Sequence, residues 1–349
     1  MSDGPTGGEG VRVGVDTGGT FTDVVTDDGR VVKVPSTPDD LARAVGSGIV
    51  RVTTGTPALL AHGTTVATNA LLERRGAPVA LVTTTGLADV IEIGRQDRPS
   101  LYDPDVVRPD PLVPRHLRLE VGGRLAADGK EVERVDPGAV PAVPDEVTTV
   151  AVCLLHSDLD PGHERQVAAA LAERGLEVVS SHEVSPEFRE YERTVTTVVD
   201  AYLGPACRPY LRSLEGAADE VLVMTSAGGL VSLDEAADRP ATLLLSGPAG
   251  GVRAAASAAV EAGFPDAVSF DMGGTSTDVC LVVDGQPEPA AQRSVAGFPV
   301  RLPALDIHTI GAGGGSIARL DPGGALAVGP QSAGAVPGPA CYGRGGTDP

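Results

Sequence analysis

Tryptophan is absent from this 349-residue chain, and aromatic residues together make up only 3% of it. A core of large rings is therefore excluded. The 42% of hydrophobic residues must build it from Ala, Val and Leu, which suits parallel sheets covered by helices. Cysteine is scarce too: Cys153, Cys207, Cys280 and Cys341, with no pair at metal-ligand or redox spacing. Three of them sit in apolar stretches, where a thiol behaves as a small hydrophobe. Reduced thiols fit a cytoplasmic protein. No apolar run reaches the ~18 residues of a membrane span. Met1–Gly10 is Gly-rich and acidic, reads as a flexible tail, and lacks the apolar core of a signal peptide. Positive charge is also short: 27 Lys and Arg stand against 47 Asp and Glu, a net charge of −20. Such a surface repels nucleic acid and anionic membranes and excludes both as general partners. A polyanionic ligand would need a local site of backbone N–H groups and metal.

Glycine and proline, by contrast, are plentiful (45 and 29). The glycines cluster between apolar runs, as turns do, and are not spread as in a disordered chain. The length suggests two domains or one two-lobed unit. Val11–Val15, Asp23–Thr26 and Val31–Val34 read as strands, with a hairpin turn at Asp27–Arg30. Pro38–Val50 reads as a helix. Leu59–His62, Val79–Thr83, Glu146–Leu155, Val178–Ser180, Glu220–Met224, Ala267–Asp271 and Asp278–Val283 read as further strands. Gly63–Glu73, His163–Arg174, Arg189–Leu203 and Val252–Ala262 read as helices. Gly94–Pro114 reads as a surface loop. Alternating strands and helices define an α/β class. The expected organisation is a tail over 1–10, a domain over 11–187 and another over 188–349.

One sequence occurs twice. Asp16-Thr17-Gly18-Gly19-Thr20-Phe21-Thr22-Asp23-Val24 lies over Asp271-Met272-Gly273-Gly274-Thr275-Ser276-Thr277-Asp278-Val279 at a constant offset of 255. Each copy follows one apolar strand and precedes another. Self-similarity on this scale suggests duplicated lobes facing one another. Paired glycines let a backbone turn tightly and bring N–H groups to phosphate oxygens. Thr hydroxyls add donors without charge. An Asp at a strand end can hold Mg²⁺, which keeps several of its waters. The two loops thus read as the two jaws of an ATP-phosphate and magnesium clamp. Neither is a Walker A loop, since no Gly-Lys-Ser/Thr follows, nor a Rossmann fingerprint, since a strand and not a helix follows.

Paired Asp-Gly-Gly-Thr loops resemble those of the actin, sugar-kinase and heat-shock chaperone ATPase superfamily. Gly14–Asp23, His62–Ala70, Glu187–Arg193, Phe270–Asp278, Thr309–Ala318 and Gly338–Gly343 more narrowly resemble the hydantoinase A/5-oxoprolinase family. That resemblance runs from about Val11 to Pro349. It implies a two-lobed actin-like ATPase, with ribonuclease H-like mixed sheets and flanking helices. It also implies that the second lobe is incomplete, because the family's A chain is about twice this length and its adenosine motif lies late. The implied activity is ATP- and Mg²⁺-dependent opening of a lactam or cyclic imide of the 5-oxoproline or hydantoin type, through a phosphorylated carbonyl. A hydantoinase B-type subunit is the implied partner and a small cyclic amide the substrate. Alternatives are a catalytically incomplete subunit with an assembly role and a ketone carboxylase-type subunit.

The implied catalytic carboxylates are Asp16, Asp271 and Asp278, with Asp16 and Asp271 on the metal. The implied phosphate contacts are Gly18, Gly19, Thr20, Thr22, Gly273, Gly274, Thr275 and Ser276. Candidate substrate or nucleotide contacts are His62, Thr64, Thr65, His308, Gly313, Gly314 and Gly315. For His62 and His308 a structural role is as good a reading. Asp306 and His308 share a face if that stretch is extended. Ser246–Gly251 is either a strand-to-helix turn or an anion contact ahead of a helix. The charged run Glu187–Arg193 reads as a solvated helix face.

Overall fold

The computed structural model describes residues 10–18, 21–37, 40–97, 103, 105–274, 276–321, 323–334, 338–343 and 345–347. The fold is mixed α/β and forms two compact units. The first comprises Met1–Ser246 with Ala291–Pro303, the second Gly247–Ala290 with Ala304–Pro349.

In the first unit, strands β1 (Arg12–Thr17), β2 (Phe21–Thr26) and β3 (Val31–Pro35) lead through helix α1 (Leu41–Val52) to β4 (Leu59–Thr64) and helix α2 (Val66–Leu72). Next come β5 (Val79–Thr84), β6 (Arg118–Val121), β7 (Thr149–Cys153), helix α3 (Gly162–Glu173) and β8 (Glu177–Ser180). The long helix α4 (Glu190–Arg212) and strands β9 (Glu220–Met224) and β10 (Leu230–Ser232) complete the unit's main elements. They build a six-stranded mixed sheet, β10-β9-β4-β1-β2-β3, and a four-stranded sheet, β8-β7-β5-β6, that is parallel throughout. The parallel sheet has the Val-rich strands expected of a sheet covered on both faces, and all of β5 and β7 is buried.

Helix α1 starts where the Asp40 side chain accepts from the Arg43 N–H at 3.1 Å. It buries Ala44, Val45, Ile49 and Val52. Its approach to β2 requires glycine at position 48, where a Cβ would stand 2.4 Å from Val24 Cγ2. Helix α4 runs past its expected end at Leu203, continuing through Pro205 and Pro209 to Arg212. Gly204-Pro205 reads as a stop, because proline lacks the N–H that closes a helical turn. Burial of Leu203, Cys207 and Leu211 in the unit's main core outweighs those lost bonds. Glu192 and Arg193 are not on a solvated face: both are buried. Arg193 donates to the Leu154 carbonyl at 2.8 Å and to the Glu187 carbonyl at 3.2 Å, and pairs with Asp158, while Glu192 pairs with Arg95. A fully desolvated guanidinium needs these partners.

The second unit begins with helix α5 (Ser246–Glu261), whose first residue closes the first unit. Ser246–Gly251 is therefore the opening of a helix and not the turn ahead of one. Strands β11 (Ala267–Met272), β12 (Thr277–Val283) and β13 (Ile307–Ile310) follow, then a hairpin of β14 (Ser316–Leu320) and β15 (Leu326–Ser332). β12 pairs antiparallel with both β11 and β13. This unit's apolar core is small: Ala249, Val252, Cys280, Leu305 and Ile307. No described helix is long and apolar enough to cross a membrane. Cys153, Cys207 and Cys280 are buried, and Cys341 is exposed.

Candidate functional site

The two repeated sequences form the same local structure. In the first, Asp16 and Asp23 face each other across the β1–β2 hairpin, and Gly18 N–H donates to the Phe21 carbonyl at 3.0 Å. In the second, Asp271 and Asp278 face each other across β11–β12, and Gly273 N–H donates to the Ser276 carbonyl at 2.9 Å. Register and closing bond coincide at the 255-residue offset, so the repeat is one of backbone and not only of letters. Gly19, Thr20 and Thr275 lie outside the described residues.

Around the first hairpin, Asp16 is crowded by β4 on one side and open to solvent on the other. It pairs in register with Gly63, where a Cβ would stand 3.0 Å from Asp16 Oδ1, so glycine there leaves the carboxylate room. The Asp16 pKa is raised, first by the protein packed around it and then by Asp23, with Lys33 opposing. Lys33 Nζ lies 3.1 Å from Asp23 Oδ2. Among the described residues, one carboxylate of the pair thus has a cation in contact and the other does not. Ser36 Oγ donates to the Gly18 carbonyl at 2.7 Å and lies 3.0 Å from Thr22 Oγ1. The Thr65 N–H and hydroxyl both reach the Thr17 carbonyl, at 3.3 and 3.2 Å. Thr64 is buried and accepts from the Val66 N–H at 3.2 Å.

Around the second hairpin, the Gly311–Ser316 segment docks by its backbone. Gly314 N–H donates to the Gly273 carbonyl at 2.9 Å and Gly315 N–H to the Gly274 carbonyl at 2.7 Å. Thr277 Oγ1 donates to the Ala312 carbonyl at 2.6 Å. A Cβ on Gly313 would meet the Gly273 oxygen at 2.6 Å, so only glycine permits this approach. Gly313, Gly314 and Gly315 are therefore brought directly onto the second loop. Thr309 Oγ1 donates to Asp278 Oδ1 at 2.6 Å.

The two histidines are placed elsewhere. Along a strand, alternate side chains point to opposite faces. His62 stands beside Gly63 on β4, so it occupies the sheet face opposite Asp16. It is fully buried, its Nε2 lies 2.6 Å from the Tyr210 hydroxyl, and burial lowers its pKa to about 4. It is a neutral imidazole supporting β4 from beneath. His308 pairs with Val279, not with Asp278, and so occupies the face opposite Asp271 and Asp278. Its Nε2 lies 3.4 Å from Asp306 Oδ2; His308 is exposed and Asp306 half-buried. Lys33, Ser36, Tyr210 and Thr309 were not singled out from sequence. Lys33 was within reach, because the hairpin turn at Asp27–Arg30 sets it opposite Asp23. Tyr210 lies 148 residues from His62 and carries no local signal.

No three His, Cys, Asp or Glu side chains converge as a metal cage among the described residues. Each hairpin offers one carboxylate pair. Such a set suits Mg²⁺, which is commonly held by one or two carboxylates, waters and substrate phosphates. The unneutralised Asp16 fits that cation. A tight Gly turn flanked by a carboxylate pair is what the two hairpins share.

The hydantoinase/oxoprolinase family model matches residues 193–349, and the model of the hydantoinase/oxoprolinase N-terminal region matches residues 12–175. The chain belongs to the hydantoinase/oxoprolinase family. It is 39% identical to the caprolactamase subunit alpha of Pseudomonas jessenii, over 97% of this chain and 53% of that protein. It is 36% identical to 5-oxoprolinase 1 of Arabidopsis thaliana, over 96% of this chain and 30% of that protein. The crystal structure of the ATP-dependent caprolactamase from Pseudomonas jessenii matches with a TM-score of 0.85 and 38% identity, over 97% of this chain and 53% of that one. A nucleotide-free acetone carboxylase structure matches with a TM-score of 0.73 and 28% identity, over 93% of this chain and 51% of that one. The chain spans about half the length of the caprolactamase subunit and less than a third of the plant 5-oxoprolinase.

Proposed function

We propose that the chain is the nucleotide-handling part of an ATP-dependent enzyme that opens a lactam or cyclic imide of the 5-oxoproline or hydantoin type. The observation that carries this reading is the repeated hairpin, with Asp16 opposite Asp23 and Asp271 opposite Asp278 in the same register. Two relatives act on cyclic amides by their names, a caprolactamase and a 5-oxoprolinase, and support the substrate class. An amide carbon resists water because resonance feeds it electron density. Transfer of the γ-phosphoryl group to the carbonyl oxygen forms a P–O bond, releases ADP and leaves an imidate-type carbon that water attacks. The Gly18, Gly273 and Gly274 backbone and the Ser276 hydroxyl would contact the phosphates, together with Gly19, Thr20 and Thr275. Thr22, expected among these contacts, is fully buried with its Oγ1 3.0 Å from Ser36 Oγ and would support the first loop instead. Asp16 on the first hairpin and Asp271 on the second would each be a Mg²⁺ ligand, and Asp278, which accepts from Thr309 Oγ1, would complete the second pair. Mg²⁺ held there would supply charge neutralisation for phosphoryl transfer. The chain works in the cytosol with a hydantoinase B-type subunit.

ATP binding and turnover with Mg²⁺, with and without 5-oxoproline or a hydantoin, test this reading. Asp16→Ala and Asp271→Ala should each lower turnover by at least about a hundredfold, the scale of losing one transition-state charge contact. Unchanged turnover in either variant would remove that hairpin from the mechanism. A ketone carboxylase-type role is the second reading, favoured by the match to acetone carboxylase. Bicarbonate-dependent turnover of a ketone would select it.

A further inference from the structure

The two hairpins agree in their paired carboxylates and differ in the residue beside them. Cross-strand partners in register point to the same face of a sheet. In the first unit Gly63 of β4, Asp16 of β1, Asp23 of β2 and Lys33 of β3 are successive partners and form one row. In the second unit the row is Asp271 of β11, Asp278 of β12 and Thr309 of β13. The strand beyond the second carboxylate thus carries an ammonium in one hairpin and a hydroxyl in the other. Each contacts that carboxylate: Lys33 Nζ lies 3.1 Å from Asp23 Oδ2, and Thr309 Oγ1 donates to Asp278 Oδ1 at 2.6 Å. With the carboxylates ionised, the first trio keeps one net negative charge and the second keeps two.

Lys33 is set in its place by the chain around it. The Thr26 N–H donates to the Arg30 carbonyl at 3.0 Å and closes the β2–β3 turn, which fixes the register of Lys33 on Asp23. The ammonium also lies 5.3 Å from the Phe21 ring centroid, within cation–π range. Phe21 supplies the carbonyl that accepts from Gly18 N–H, so Lys33 touches the strand that closes the Gly loop at two points. As a stabilising contact the ion pair counts for little, because its side chains are 58% and 46% exposed. Its larger effect falls on a divalent ion, which is repelled by the ammonium twice as strongly as a single charge would be. We propose that Lys33 is a positioning residue of the first hairpin: by holding Asp23 it leaves Asp16 as the one carboxylate open to a metal there. That hairpin then takes Mg²⁺ as the nucleotide complex and not as the bare ion, because phosphates supply the oxygens and charge that one carboxylate lacks. The second hairpin, with Thr309 in the corresponding place, keeps two anions for the bare ion. The inference rests on the nucleotide and Mg²⁺ role proposed for the hairpins and adds the order in which they fill.

Mn²⁺, which favours the same oxygen ligands, tests this by paramagnetic broadening of amide resonances in the isotope-labelled full chain. Gly18 and Gly63 report on the first hairpin, Gly273 and Gly314 on the second. Without nucleotide, Gly273 and Gly314 should broaden at about tenfold lower Mn²⁺ than Gly18 and Gly63, the scale of one extra charge near a divalent ion. Lys33→Met keeps the aliphatic stem and removes the charge. It should lower the Mn²⁺ needed at Gly18 and Gly63 by about tenfold and leave Gly273 and Gly314 unmoved. Lys33→Arg should behave as the parent. Lys33→Met combined with Asp23→Asn, which restores one net negative charge, should return to it. Added ATP should lower the Mn²⁺ needed at Gly18 and Gly63 in the parent. Unchanged broadening there in Lys33→Met, or an equal gain in Lys33→Arg, would overturn the assignment while ATP-dependent broadening persists. Absence of any ATP-dependent broadening in the parent would overturn the proposed function, and this inference with it.

Discussion

Asp200 holds a carboxylate at full burial in the first unit, with Oδ1 accepting from the Ala241 N–H at 2.9 Å and Oδ2 without a hydrogen-bond partner. Burial raises its pKa to about 7, against the opposing pull of that N–H and of Arg208 and Arg239. The sign follows from the proton count. Between the unfolded value of 3.8 and about 7 the unfolded chain ionises while the folded chain keeps its proton. Stability from this group is therefore fully present below 3.8 and lost as pH rises through about 7, at about 1.4 kcal/mol per pH unit within the window. Asp200→Asn cannot ionise, so its stability relative to the parent should improve between pH 5 and pH 8. Denaturant melts at the two pH values measure this, and a pH-independent difference would show that Asp200 is already ionised in the fold. Strand geometry separates the histidines from the hairpin carboxylates. One step along β4 moves a side chain from the Asp16 face to the core, so His62 and Gly63 have opposite roles despite being neighbours.

Single elements carry the next level. The Gly311–Ser316 segment is held to the second hairpin through the N–H groups of Gly314 and Gly315 and through the Ala312 carbonyl, which accepts from Thr277 Oγ1. Gly313→Ala would place a methyl 2.6 Å from the Gly273 oxygen and 2.8 Å from the Ser276 nitrogen, and backbone cannot yield as a flexible side chain can. Overpacking of this kind costs about 1–3 kcal/mol. The expected outcome is an ATP affinity lowered by about tenfold or more, read by titration calorimetry, while the first unit unfolds as before. An unchanged affinity would detach this segment from the nucleotide. What could be read from sequence divides along the same line. The hairpins were legible because paired glycines, Thr and strand-ending Asp are local chemistry, and the turn at Asp27–Arg30 set the register of β2 on β3. The end of α4 was not, because Gly204, Pro205 and Pro209 argue locally for a stop while the burial of Cys207 and Leu211 decides otherwise. Ser246–Gly251 misled in the same way: four residues of it are poor helix formers, yet it opens α5. The burial of Glu192 and Arg193 was equally hidden, since their partners Arg95, Asp158 and Leu154 come from distant segments.

At the scale of the whole molecule, the two units are unequally built. The first has a continuous core through the parallel sheet and α4, with a second cluster between α1 and the mixed sheet. Among the described residues, the second has one small core cluster, Ala249, Val252, Cys280, Leu305 and Ile307, and leaves Val268, Phe270 and Met272 of its sheet exposed. Buried apolar area sets the cost of opening a region, so the units should not unfold as one. The second unit is expected to open first. Native-state hydrogen exchange should show amides of Thr277–Val283 and Ile307–Ile310 exchanging well before those of Val79–Thr84 and Thr149–Cys153. Ligand binding sharpens the comparison. A ligand held only by the folded state stabilises it by about 2.7 kcal/mol at a hundred times its dissociation constant. If the second hairpin contacts nucleotide, Mg²⁺ and ATP will slow exchange in Thr277–Val283, and Asp271→Ala will abolish that slowing without altering the exchange of Thr149–Cys153. A single cooperative opening of both units, unaffected by nucleotide, would contradict the unequal cores and the role of the second hairpin together.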